Sequence, residues 1–140
     1  MDKLDYIQGD LVMVKKEYRV FNFAPENIVC EFIRHSKRDT VIVKAIDCPY
    51  SYCVEGDCVT PIHLTPAIVE KNGWELIYSK TDNYFNESNN ILLVLVTKNF
   101  NKWSAYKVVD NTRIWLRNVY NVSDLQHLLF GLGLNHEMKV

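Results

Sequence analysis

The stretch CPYSYCVEGDCVTPIH sets Cys48, Cys53, Cys58 and His63 five residues apart. All four are zinc-ligand types, and zinc accepts four Cys or His side chains in a tetrahedron. Even spacing, however, supplies no tight knuckle that presents two ligands together. A turn at Gly56 and Asp57 would make CVEGDCV a hairpin, with Glu55 opposite Cys58 and Cys53 opposite Thr60. Cys53 and Cys58 then share a face on a diagonal of roughly 7 to 8 Å, too long for a disulfide. His63 lies an odd number of residues beyond Cys58, so an extended strand turns it to the other face. A small structural zinc site therefore ranks third among the readings, and the four cysteines, Cys30 included, read as plain thiols. No cofactor is implied.

Catalytic chemistry has no better anchor. Any of four cysteines pairs on paper with any of four histidines, the acids are evenly spread, and no glycine-rich phosphate loop occurs. The expectation is a non-enzymatic protein with no catalytic residue. A binding surface is easier to place. In TRIWLRN, strand alternation puts Arg113, Trp115 and Arg117 on one face and Ile114 and Leu116 on the other. An aromatic between two guanidiniums can stack and clamp a single-stranded nucleic acid, and the turn RHSKR would add Arg34 and Arg38 as a basic rim. Exposed Trp and Arg are equally the residues that anchor protein interfaces. Sixteen basic against seventeen acidic residues give a net charge of -1, so no general positive field draws phosphate. A protein partner, or a second copy of the chain, is the first reading, and a nucleic-acid-binding accessory protein is the alternative.

These residues must be held by a fold that 140 residues can build as one domain with a sizeable core. The first sixty read as short strands, DLVMVKK, EYRVFNF, NIVCEFIR and TVIVKAI, separated by polar or proline-bearing breaks. They predict a strongly bent antiparallel sheet or barrel of SH3-like type. In HLTPAIVEKNGW, Thr65 can cap a helix, Pro66 suits its first position and Gly73 its exit, which predicts a helix over 66–71 with Ile68 and Val69 inward. WELIYS, ILLVLVT, WSAYKVV and TRIWLRN follow as an antiparallel meander. The second is apolar at six consecutive positions, which places it mid-sheet with cover on both faces.

The last element, SDLQHLLFGLG, offers Ser123 and Gln126 as a capping box and Leu125, Leu128, Leu129 and Leu132 as an apolar stripe, predicting a C-terminal helix packed on the sheet. The fold class is α+β over residues 1–140, and any subdivision falls between a barrel-like sheet in 1–62 and a helix–meander–helix in 63–140. The opening MDKLDYIQGD is acidic and lacks an apolar run, and the longest apolar run, Ile91 to Val96, is far too short to span a bilayer. Both imply a cytoplasmic protein with no membrane partner, in which the Asn-x-Ser triplets at Asn86 and Asn121 carry no sugar.

Three segments resemble a group of small proteins from the genomes and prophages of gut anaerobes. Its members open on Ile-x-Gly-Asn/Asp-x-Val, carry PIPLTPEILEKNGF in the middle and close on ELQNLYFALTG. Here the matching stretches are IQGDLV from Ile7, PIHLTPAIVEKNGW from Pro61 and DLQHLLFGLG from Asp124, with departures at His63, Ala67, Trp74, His127, Leu129 and Gly131. The resemblance implies an N-terminal barrel-like sheet and a phage or mobile-element origin. It implies no activity, and a proline at the position of His63 in the group counts against a metal ligand there.

Overall fold

The computed structural model describes residues 6–15, 28–46, 48–78, 80–97, 99 and 101–140. It is an α+β structure: among the described residues, two antiparallel five-stranded sheets accompany two α-helices. The chain divides into two compact units, Met1–Ile62 and His63–Val140. The strand expected at EYRVFNF lies outside the described residues.

The first unit contains β1 (Leu11–Val14), β2 (Ile28–His35), β3 (Thr40–Ala45), β4 (Ser51–Glu55), a 3-10 turn at Gly56–Cys58 and β5 (Val59–Pro61), in the sheet order β4-β3-β2-β1-β5. Alternation decides what it buries. Val41, Val43 and Ala45 of β3 face a core with Val12, Val14, Cys30, Phe32 and Val54, while Ile42 and Lys44 are only half-covered. One face of β3 is thus wetter than the other. The segment before β1 is bound to the sheet through its backbone. Asp10 Oδ2 accepts from the Ile7 amide at 2.8 Å, the Asp10 carbonyl accepts from Phe32 N at 2.8 Å, and Gly9 donates to the Phe32 carbonyl at 2.9 Å. Gly9 does this at φ 96, a left-handed conformation that favours glycine.

The hairpin expected at Gly56 and Asp57 does not form. Those residues belong to the 3-10 turn, and the strands it joins, β4 and β5, stand at the two ends of the sheet order rather than side by side. No β4–β5 ladder closes the described sheet, so a closed barrel is not formed.

In the second unit α1 (Pro66–Lys71) occupies the span read from sequence, with Thr65 Oγ1 accepting from Ile68 N at 3.3 Å and Gly73 at φ 92 on its exit; Val69 is buried and Ile68 half-buried. Then come β6 (Glu75–Tyr78), β7 (Asn83–Asn86), β8 (Ile91–Thr97), β9 (Lys102–Val109), β10 (Thr112–Val119) and α2 (Val122–Gly131). Their sheet is a meander in the order β10-β9-β8-β7-β6. Its turns use Asn and Asp where glycine is common: Asn90, Asn101, Asp110 and Asn111 all have positive φ, and the last pair forms a two-residue hairpin turn of the kind that matches strand twist. β8 is central as expected. Its first three residues are buried, but Val96 is exposed, so full cover ends before the strand does.

The cap of α2 is not the expected Ser123–Gln126 box. Asn121 Oδ1 accepts from Asp124 N at 2.8 Å and from the Ser123 hydroxyl at 2.7 Å. Gln126 instead turns inward, buried, and its Nε2 donates to the His136 carbonyl at 3.2 Å. Leu125 and Leu129 are buried with Val122, Leu128 is half-buried and Leu132 is largely exposed, so the buried stripe is narrower than the leucine count suggests. Leu134 N donates to the Leu129 carbonyl at 2.9 Å past Gly133, whose φ is 72.

Asn121 Oδ1 caps the first free amides, so Asn121→Ala is expected to destabilise the protein by about 1 kcal/mol in urea titration, and Ser123→Ala by less. A larger loss from Ser123→Ala than from Asn121→Ala would restore the capping-box reading.

Candidate functional site

Opposed residues on antiparallel strands share a face, so the register of the second sheet sorts its side chains into two sets. Tyr84, Leu93 and Ala105 lie in one row and Leu95, Trp103 and Val119 in the next, on the same face. This is the core face. The Trp103 indole is fully buried, donates to the Leu64 carbonyl at 2.9 Å and lies 5.8 Å from the Tyr84 ring.

The opposite face carries Phe85, Leu92, Tyr106 and Trp115 in one row, Asn83, Val94, Ser104 and Asn118 in another, and Val108 with Arg113 beyond. Tyr78 of β6 is opposite Asn83 and joins it. Leu92, Asn83 and Ser104 are buried, Phe85, Val94, Tyr106 and Val108 are half-exposed, and Trp115 is 56% exposed, so this face opens toward β10. A right-handed twist coils such a sheet. It brings Arg113 on one edge strand and Ile77 and Tyr78 on the other to the wall of one cavity of about 630 Å³, which Lys80, Thr81 and Asn83 complete.

Arg113, Trp115 and Arg117 do not share a face. A bulge lies between Trp115, opposite Tyr106, and Arg117, opposite Ala105, so Leu116 is the extra residue and the alternation slips. Arg113 and Trp115 stay on the open face. Arg117 crosses to the core face, where its guanidinium sits 3.6 Å from the Asp124 carboxylate of α2. Sequence alternation missed the bulge because no glycine or proline marks it. Arg34 is exposed on β2, next to a second bulge between Phe32 and Arg34, and Arg38 is exposed at φ 58 in the β2–β3 turn. Both belong to the first unit.

The evenly spaced cysteines are not gathered within the first unit. Cys58 is buried in the core of the first unit, Cys53 is exposed on β4, Cys48 is half-buried, and His63 is exposed in the second unit. The 3-10 turn between Cys53 and Cys58 sends one sulfur outward and the other inward. Among the described residues no group of three His, Cys, Asp or Glu side chains could hold a metal ion.

The cysteines differ in chemistry. Burial, with a smaller contribution from Cys48, pushes the Cys30 thiol up to about 11. A hydrogen bond from the Tyr52 hydroxyl, 3.5 Å away, holds Cys48 below the ordinary thiol range, helped by the Tyr50 backbone and the Lys44 charge, and the same bond raises Tyr52. The direction of that shift favours the thiolate form at Cys48.

The structure thus defines an α+β protein of two antiparallel sheets with an aromatic, arginine-edged open face on the second. Comparison with protein-family models, with curated proteins and with solved structures finds none that matches the chain. No helix among the described residues is long and apolar enough to cross a membrane.

Two measurements check the thiol assignment. Iodoacetamide at mildly alkaline pH should modify Cys48 and Cys53 in the native protein and reach Cys30 and Cys58 only after unfolding, with Tyr52→Phe slowing Cys48; equal labelling of all four in the native state would contradict it. The second is pH dependence. The unfolded Cys30 thiol ionises near 9.0 while the folded one keeps its proton to about 11. Its contribution is therefore intact below pH 9 and lost as pH climbs from 9 through 11, on the order of 2 kcal/mol. Cys30→Ala should flatten that fall in denaturant midpoints, and an unchanged slope would remove the assignment.

Proposed function

We propose that the chain is a non-enzymatic interaction module that binds protein, a partner or a second copy of itself, through the open face and edges of its C-terminal sheet. The observation that carries this reading is Trp115, 56% exposed beside the exposed Ile114 on edge strand β10. On the other edge, β6 exposes Leu76, Ile77 and Tyr78. Edge strands with unpaired backbone and apolar side chains invite pairing, and soluble proteins usually blunt them with lysine, proline or a covering loop. Here both edges keep large apolar groups in the open. Aromatic and arginine side chains that are rigid and already exposed supply much of the energy of protein interfaces.

Arg113 beside Trp115 also favours a second reading, a single-stranded nucleic-acid binder. It is weaker, because Arg117 is committed to Asp124 and one guanidinium remains on that face, in a chain of net charge -1. The strand order of the first unit, with a 3-10 turn joining β4 to β5, supports an SH3-like module. The three resembling segments support a phage or mobile-element origin.

Trp115→Ala should weaken capture of a partner, or self-association measured by sedimentation, at least tenfold while leaving the denaturation midpoint within about 0.5 kcal/mol of wild type. Identical recovery by both proteins would end this reading. Retention of a mixed single-stranded oligonucleotide that weakens steeply with salt would favour the second one.

A further inference from the structure

The cavity on the open face has a polarity of its own. Its walls are Ile77, Tyr78, Lys80, Thr81, Asn83 and Arg113. Two of these are cations and none is an acid. Asp82, the chain neighbour of Asn83, is not among them and has interactions of its own. Asn83 is 6% exposed, and its Oδ1 has no hydrogen-bond partner among the described residues. A buried acceptor without a donor is a standing penalty that an incoming N–H would remove. The space, about 630 Å³, is a depression open to solvent.

We propose that this cavity binds the C-terminal residue of a partner polypeptide. This rests on the reading of the face as a protein-binding surface and names what it recognises there. A chain end carries a carboxylate and an amide N–H on either side of one Cα, and so matches a wall that offers two cations and one free acceptor together. Arg113 and Lys80 hold the carboxylate, Arg113 as a planar fork suited to two parallel hydrogen bonds. Asn83 Oδ1 accepts from the terminal amide. Ile77 and the Tyr78 ring give the terminal side chain an apolar rest. The backbone before it leads onto the row of Tyr106 and Trp115, so recognition of the end and stacking against the aromatic face belong to one bound segment.

The test uses the whole 140-residue chain, labelled with nitrogen-15 and titrated at millimolar concentration with four probes. N-acetylleucine carries the carboxylate, the amide and the apolar group. N-acetylleucinamide lacks the charge, acetate lacks the rest, and the α-amide of N-acetylglutamate carries its carboxylate on the side chain. N-acetylleucine should shift the Asn83 side-chain amide, the Thr81 amide and the Arg113 Nε–H signals. It should bind about tenfold more tightly than the carboxamide, as expected for loss of a charge-assisted contact. Arg113→Gln and Lys80→Gln, both at exposed positions, should each weaken it with the remaining spectrum unchanged. Equal binding of the carboxamide, of acetate or of the glutamate amide would overturn the assignment of a chain end. So would unaltered affinity in Arg113→Gln. Partner capture that depends on Trp115 in a protein that does not bind N-acetylleucine would leave the interaction surface standing and overturn the pocket alone.

Discussion

The Trp103 indole organises the C-terminal unit. It is a large ring with a single polar atom, and an indole N–H taken out of water needs an acceptor. That acceptor is the carbonyl of Leu64, whose own amide donates to the Tyr120 carbonyl at 3.2 Å. Leu64 directly precedes Thr65, the cap of α1, and Tyr120 directly precedes Asn121, the cap of α2. One buried ring therefore fixes where both helices of the unit begin, and with them which side of the meander is closed. Deleting its hydrogen bond would leave a buried carbonyl unpaired at the junction of three elements, a penalty of roughly 1 to 3 kcal/mol.

With one face committed to Trp103, Tyr84 and Leu93, the other is covered at Leu92, Ser104 and Asn83 and opens at Trp115 and Arg113, and the arginine and tryptophan there are set by one of the register shifts of the sheet. The extra residue at Leu116 divides β10 into an outward half with Arg113 and Trp115 and an inward half with Arg117 and Val119. The inward arginine serves the fold through Asp124, whose other oxygen also accepts from the Tyr120 amide at 3.0 Å. At 3.6 Å and in partial contact with water the ion pair contributes at most about 1 kcal/mol, so its weight lies in orientation rather than stability. The outward arginine is left to recognition. A strand without the bulge would have carried two guanidiniums around Trp115 and a surface better suited to nucleic acid than to protein.

The first unit shows the same division between local and distant causes. IQGDLV looks from sequence like the lead into a strand. Its Gln8 and Gly9 form a turn, closed by the Asp10 amide on the Ile7 carbonyl, that the backbone of Phe32, more than twenty residues on, holds in place. The evenly spaced cysteines failed as a cluster for a related reason: spacing counts residues, while a 3-10 turn at Gly56–Cys58 and the placing of β4 and β5 at opposite ends of the sheet order decide where the sulfurs point.

What could be read from residues alone was whatever depends on neighbours three or four positions away or on a two-residue period. Thr65, Pro66 and Gly73 bound α1, Val41, Val43 and Ala45 marked a buried strand face, and the apolar run at Ile91 marked the centre of a sheet. The asparagine–aspartate turns, above all Asp110–Asn111, were legible in principle by their tolerance of positive φ. The cap of α2 was misread by two residues because Asn121 and Ser123 are both good caps, and only the seating of Gln126 inside the unit separates them. The split of β10, the coiling that joins Arg113 to Tyr78 and Asn83 in one cavity, and the isolation of Cys53 from Cys58 belong to tertiary structure. Each depends on the register of a strand against a partner distant in the chain, and a slip of one residue there reverses every side chain that follows.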